Sequence, residues 1–204
     1  MLEHVGERLQ GYVTEYFDSA SLRNYHEHHN QLRRRLKLRY RTYENSNMTY
    51  FELKRNVNGR TVKERRRSRL PLGQLWDEDA RYFAEQTGLD SLDLTPSLTV
   101  AYRRILLVRR DFSERVTIDL GLRFSSRNGS TGTAPELSIC EFKQPRLDRC
   151  SPAMIALNRQ PQMFSKYCMG LAACDPSLRR NRFKKVFLNL DGLSAAPTVT
   201  LVAP

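Results

Sequence analysis

A chain of 204 residues with 40% hydrophobic content can bury one core of ordinary size, so the expectation is a single domain with at most an appended helical piece. The 34 Lys and Arg against 22 Asp and Glu leave a net charge of +12, which favours polyanionic partners such as nucleic acid, polyphosphate or anionic lipid. No apolar run approaches the roughly 20 residues of a membrane span, the start MLEHVGERLQG is too charged for a secretory signal, and four cysteines without a CxxC pair read as reduced thiols, not as a disulfide framework or zinc site. A cytoplasmic protein is expected.

In chain order, YVTEYFDS has the aromatic and β-branched content of a strand, and SASLRNYHEHHNQL reads as a helix with Ser19 or Ser21 as N-cap. The period then changes to two. LRRRLKLRYRTY, MTYFELKRNV and RTVKERRRS are three adjacent antiparallel strands, with Asn58-Gly59 as the hairpin turn between the last two. LGQLWDEDARYFAEQTG is a helix stopped at Gly88, with Trp76 and Phe83 on the face that packs against the sheet. Three further strands follow in SLTVAYRRILLV, ERVTIDLGLRFS and PELSICEFKQP, the last two separated by SSRNGSTGTA, read as a flexible loop. The last third holds a helix starting at Ser151-Pro152, a second around MFSKYCMGLAAC, a basic run RRNRFKK and an apolar strand VFLNL. Residues 1–190 are read as the domain and 191–204 as a flexible tail.

Alternation decides what these strands present. Residues two apart share a face, so Lys37, Arg39 and Arg41 point one way and Leu38, Tyr40 and Thr42 the other. A half-exposed antiparallel strand with its cations in water would look the same. The pattern nevertheless recurs: Glu52 falls with Lys54, Lys63 with Arg65, Arg103 with Thr99 and Ala101, Arg115 with Asp119, and Glu141 with Lys143. Six charged faces suggest a closed or nearly closed barrel whose charges look at one another while helices cover its apolar exterior. Like charges ~4 Å apart repel by ~4 kcal/mol at an effective dielectric of 20, so converging cations need an anion. Arg offers a fork for phosphate oxygens, and a lone carboxylate among cations suits a divalent metal bridging phosphates. The residues read as a phosphate-polymer site.

Taken in order, YFDSASLRNYHEHHN, RLKLRYRTY, YFELKRNVNGRTVKERR, VAYRR, ERVTIDL, ICEFK and MFSKYCMG resemble the VTC domain, the polyphosphate polymerase module of the vacuolar transporter chaperone family, within the CYTH-like triphosphate tunnel metalloenzymes. The resemblance implies an α+β fold, an antiparallel β-barrel of about seven to eight strands forming a triphosphate tunnel, with helices packed outside. It implies that Arg39, Arg41, Lys54, Lys63, Arg103, Arg115 and Lys166 bind triphosphate or product, and that Glu141 binds Mn²⁺ or Mg²⁺. Arg65 and Lys143 join the phosphate-binding set, and Glu52 and Asp119 are weaker metal-side candidates. The family's opening strand has no counterpart before YVTEYFDS, so the expected barrel lacks its first strand.

The activity implied is transfer of the γ-phosphoryl of ATP to growing inorganic polyphosphate, with a membrane protein as a partner for product export and membrane association through it. Three rivals are a triphosphatase on the same fold, a non-catalytic polyphosphate sensor, and a nucleic-acid-binding protein. The last is disfavoured because the cations keep strand alternation and are not interleaved with stacking aromatics on the same face. His26, His28 and His29 read as a solvated helix face, and Cys140 as pointing to the barrel exterior.

Overall fold

The computed structural model describes residues 8–57, 60–71, 73–91, 93–135, 137–146, 148–158, 164–184 and 186–187, with the backbone of 2–4 and 198–202. Its strands are β1 (Leu2–His4), β2 (Gln10–Asp18), β3 (Arg35–Tyr43), β4 (Met48–Val57), β5 (Arg60–Ser68), β6 (Thr95–Arg109), β7 (Arg115–Ser126), β8 (Thr131–Ala134), β9 (Leu137–Lys143) and β10 (Thr198–Val202). Its helices are α1 (Arg23–His29), α2 (Asp77–Thr87), α3 (Pro152–Leu157) and α4 (Lys166–Cys174). They form an α+β fold around one sheet in the order β10-β9-β7-β6-β2-β3-β4-β5, antiparallel except where β10 runs parallel to β9.

The sheet is not closed. β5 and β10 end it on opposite sides with no ladder between them among the described residues, so the expected barrel is instead an open antiparallel sheet. It curls enough that Glu141 on β9 acts electrostatically on Lys54 on β4, although four strands lie between β9 and β4 in the order. A strand as cationic as β5, with Arg60, Lys63 and Arg65 to Arg67, makes an edge that resists casual pairing.

Two helices cover the outer face, as the sequence pattern led us to expect. α2 brings Phe83 onto Leu38, Tyr40, Phe51 and Leu53, with Trp76 at the margin, and α3 brings Met154 onto Val116, Cys140 and Phe142. α2 stops at Gly88, whose φ of 67° suits a residue without a Cβ. α1 and α4 differ from the expectation: they lie on the inner face. Tyr25, Tyr167, Cys168 and Leu171 pack there against Tyr16, Leu98, Val100, Leu122 and Phe124. The reason is that β2, β6 and β7 carry an inward patch that is apolar, and only a helix can keep it from water. Gly170 lets α4 approach: a Cβ there would lie 2.5 Å from Phe124 and 2.7 Å from Leu98.

Asp18, not Ser19 or Ser21 alone, holds the start of α1. Its fully buried carboxylate accepts the backbone N–H groups of Ser19, Asn24 and Tyr25 at 2.8, 2.8 and 3.0 Å and the Tyr167 hydroxyl, while Ser19 Oγ accepts Arg23 N–H at 3.1 Å. One side chain thereby ties β2, α1 and α4 together. The histidine stretch is not a solvated face throughout, because His29 is buried and bonded to Asn30 and Asn181.

Other expectations are revised. SSRNGSTGTA is a β7–β8 hairpin, its turn closed by Ser126 N–H to Ser130 O and by Asn128, with Gly129 at φ 83°. Val186 and Phe187 are helical where the strand VFLNL was expected, and the rest of that segment lies outside the described residues. Within the expected flexible tail, Thr198–Val202 forms β10. Leu2–His4 pairs with the far end of β6 and takes no place in the main strand order. β4 and β5 pair antiparallel up to Val57 and Arg60, while Asn58-Gly59 lies outside the described residues.

Candidate phosphate-binding site

The polar part of the concave face is built by strand pairing. β3 projects Lys37, Arg39 and Arg41 inward, and the register sets them beside Lys54, Glu52 and Tyr50 of β4; β5 adds Lys63 opposite Lys54 and Arg65 opposite Glu52. The other wall is β6, β7 and β9, where Arg104 faces Asp119, Thr117 faces Glu141, and Arg115 faces Lys143. Lys166, the first residue of α4, reaches in from above the apolar patch.

Two buried carboxylates organise these cations differently. Asp119, fully buried, receives Arg104 through Nε at 2.5 Å and Nη2 at 2.9 Å and Lys166 Nζ at 2.5 Å. Burial alone would raise its carboxyl, but Lys166 and Arg104 outweigh that and hold it down at about 2. Glu52, 2% exposed, sits among four cations: Arg39 at 2.5 Å, Lys63 at 3.4 Å, Arg41 at 3.7 Å and Arg65 at 3.8 Å. Here too burial is outweighed, by Arg39, Arg41 and Lys63, and the carboxyl is held well below its usual value. Glu141 is the accessible one, with Lys143 at 3.4 Å and its side chain 26% exposed.

Aromatic rings aim the arginines. Arg39 lies over Tyr16 and bonds its hydroxyl at 3.0 Å; Arg41 lies over Tyr12; Arg65 sits 3.5 Å from the Tyr50 ring centroid and donates to the Tyr43 hydroxyl; Arg104 lies over Tyr12 and Tyr102. Stacking of this kind holds the guanidinium planes in place, and the forks of Arg39 and Arg104 are further fixed by Glu52 and Asp119. Several buried polar atoms there have no hydrogen bond within the protein: Thr14 Oγ1, Arg41 Nε, Glu52 Oε1, Tyr102 Oη and Thr117 Oγ1. Buried groups cost about 1–3 kcal/mol each unless water or another group meets their hydrogen-bonding capacity. Burial draws the Lys54 and Lys63 ammonium groups below their usual range, with Arg39 adding to the effect.

Arg39, Arg41, Lys54, Lys63, Arg65, Lys143 and Lys166 are thus brought to one concave surface, with Arg115 exposed at its rim. Arg103 is not. It is exposed on the opposite face of β6, because Leu98, Val100 and Tyr102 set the inward phase under α4 and leave Arg104 as the inward cation. Arg104 is a functional residue absent from the expected set; its signal is the position two after Tyr102 in VAYRR. A bulge at Gly121, φ 62°, then shifts the phase of β7 so that Leu122 and Phe124, not Leu120, continue the inward row.

The donor set does not make a preformed metal centre. Among the described residues no three His, Cys, Asp or Glu side chains converge, and Glu52 and Asp119, the two weaker metal candidates, are already engaged by cations. Glu141 alone fits, as one carboxylate whose metal would be completed by water and phosphate oxygens in the manner usual for Mg²⁺.

The VTC domain family matches residues 3–174. Among solved structures, a Bacillus halodurans protein assigned as an adenylate cyclase is 11% identical, with a TM-score of 0.42, over 88% of this chain and 85% of its own. A Pyrococcus horikoshii protein is 10% identical, with a TM-score of 0.39, over 92% and 88%. A Hippeastrum protein with dominant triphosphatase activity is 12% identical, with a TM-score of 0.37, over 58% and 61%. No curated protein matches the sequence. No helix among the described residues is long and apolar enough to cross a membrane.

Proposed function

This chain belongs to the VTC domain family, and we propose that its concave cationic face binds a phosphate chain and transfers the γ-phosphoryl of ATP to growing inorganic polyphosphate. The observation that carries the reading is the convergence of Arg39, Arg41, Arg104 and Lys166, all largely buried, and the more exposed Lys63 and Arg65 on one concave polar surface. A surface built for solvated charge would not bury Arg39, Arg41, Arg104 and Lys166 beside tyrosines.

Phosphoryl transfer asks for positioning and charge neutralisation more than for covalent chemistry. Arg39, Arg41 and Arg104, each aimed by a tyrosine ring, clamp non-bridging phosphate oxygens. Lys54 and Lys63 neutralise the chain along the β4–β5 wall, and Lys166 reaches the phosphates from the start of α4. Lys143 and Arg115 form the rim through which the anion enters. A divalent cation, Mn²⁺ or Mg²⁺, would be held by Glu141 and would supply further charge neutralisation between phosphates.

The test is incubation of the purified chain with ATP and Mn²⁺ and resolution of the products by phosphorus NMR. Long-chain polyphosphate with ADP supports the polymerase; orthophosphate with ADP and no chain refutes it in favour of a triphosphatase. Glu141→Gln is expected to abolish metal-dependent turnover while tripolyphosphate still binds, and full turnover in that variant would remove Glu141 from its role. The open edge at β5 favours a second reading, a polyphosphate-binding protein without turnover. Untouched ATP together with bound polyphosphate would establish it.

A further inference from the structure

Glu52 is the feature of the concave face that phosphate binding does not call for. A buried carboxylate in the middle of a polyanion site repels the ligand, yet it stands 2.5 to 3.8 Å from four of the cations that would hold that ligand. Two explanations are available: it sets the geometry of those cations, or it sets their strength.

The contacts separate the two. Asp119 shows what a geometric role looks like: both its oxygens are engaged by a guanidinium, and a lysine closes on one of them at 2.5 Å. Glu52 grips only Arg39, through a single oxygen. Its other oxygen meets only Lys63 at 3.4 Å and Arg65 at 3.8 Å, and Arg41 stands 3.7 Å from the oxygen that holds Arg39. The arginines also have other anchors: Arg39 the Tyr16 hydroxyl and ring, Arg41 the Tyr12 ring, and Arg65 the Tyr50 ring and Tyr43 hydroxyl. Removing the carboxylate takes a negative charge from the site and leaves each arginine with its tyrosine anchor.

We infer that Glu52 is a built-in counter-anion that limits how tightly the site holds a polyphosphate chain, and so allows the chain to leave or advance. Without ligand it neutralises the cluster, which otherwise would have several like charges in contact. With ligand it competes with the phosphate oxygens for Arg39 and repels the chain. This inference rests on the phosphate-chain reading of the site.

The experiment is titration of the purified chain with sodium tripolyphosphate, metal-free and at fixed salt, with stopped-flow measurement of release. Glu52→Gln should bind at least about tenfold more tightly and release more slowly, the factor supplied by one charge pair ~10 Å apart at an effective dielectric of 20. Glu52→Asp, which keeps the charge, should stay within about threefold of the unsubstituted chain. Equal or weaker binding by Glu52→Gln with an unchanged far-ultraviolet spectrum would overturn the inference. If that variant does not fold, Lys63→Gln and the double variant Lys63→Gln/Glu52→Gln, which has the original net charge, decide: the double must bind more tightly than Lys63→Gln alone, and failure to do so overturns the inference. A chain that binds no tripolyphosphate in unsubstituted form refutes the reading of the site itself, a result separate from binding that does not respond to Glu52.

Discussion

Asp119→Asn is the sharpest test of how α4 is joined to the concave face of the sheet. Asp119 is fully buried and is the common anion of Arg104, from β6, and Lys166, from α4. Removing one member of such a cluster leaves buried charge uncompensated, at a cost of about 3–5 kcal/mol. The depressed carboxyl gives an independent figure: a fall from 3.8 to about 2 corresponds to ~2 kcal/mol favouring the charged over the protonated form in the folded state. Together they bracket a loss of about 2–5 kcal/mol at pH 7, or roughly 5–15 °C in melting temperature for a chain of this size. The pH dependence is distinctive. A carboxyl whose folded pKa lies below its unfolded value contributes stability that is present above about pH 4 and is lost as pH falls towards about 2. Thermal melts of both chains from pH 7 downward should therefore show a gap that is constant at neutral pH and narrows below about pH 4. Equal melting temperatures at pH 7, or a gap that persists undiminished at low pH, would refute the argument that a charged Asp119 holds α4 to the sheet.

The remaining predictions concern the two faces and the packing. Arg104→Ala should weaken tripolyphosphate binding by about 10- to 100-fold, the worth of charge-assisted hydrogen bonds, whereas Arg103→Ala on the exposed outer face should leave it unchanged; calorimetric titration of both distinguishes the two phases of β6. Gly170→Ala would drive a methyl into Phe124 and Leu98 and should destabilise by about 1–3 kcal/mol in denaturant unfolding, and a neutral result would mean that α4 does not lie as close as described. Among the four cysteines, Cys150 is exposed and Cys140, Cys168 and Cys174 are buried, so the native chain should show one fast thiol towards a disulfide reagent and four after denaturation. Two or more fast thiols would show that α3 or α4 opens.

The strands were legible because period-two alternation of large apolar and charged residues is a local property, carried by LRRRLKLRYRTY or MTYFELKRNV without reference to the rest of the chain. The same holds for α2, whose apolar spacing and terminal Gly88 are written in consecutive residues. Local alternation also placed Arg39, Arg41, Glu52 and Lys54 on common faces, and strand pairing carried that directly into the site. What alternation could not supply is phase relative to a distant helix. Arg103 and Arg104 are adjacent and equally basic, and the inward one is decided by Leu98, Val100 and Tyr102 lying under α4, some 65 residues downstream. The Gly121 bulge is likewise a pairing event between two strands, invisible in either alone. Nor could the sequence distinguish a carboxylate that would hold a metal from one already claimed by cations: Glu52, Asp119 and Glu141 each sit at a charged position of a strand, and only the assembled sheet determines how many guanidinium and ammonium groups surround each. Composition and alternation by themselves determined a cationic antiparallel sheet; the partners of each charge, and the open edge at β5, were decided by which strands and helices met, because electrostatics and packing act through space and not along the chain.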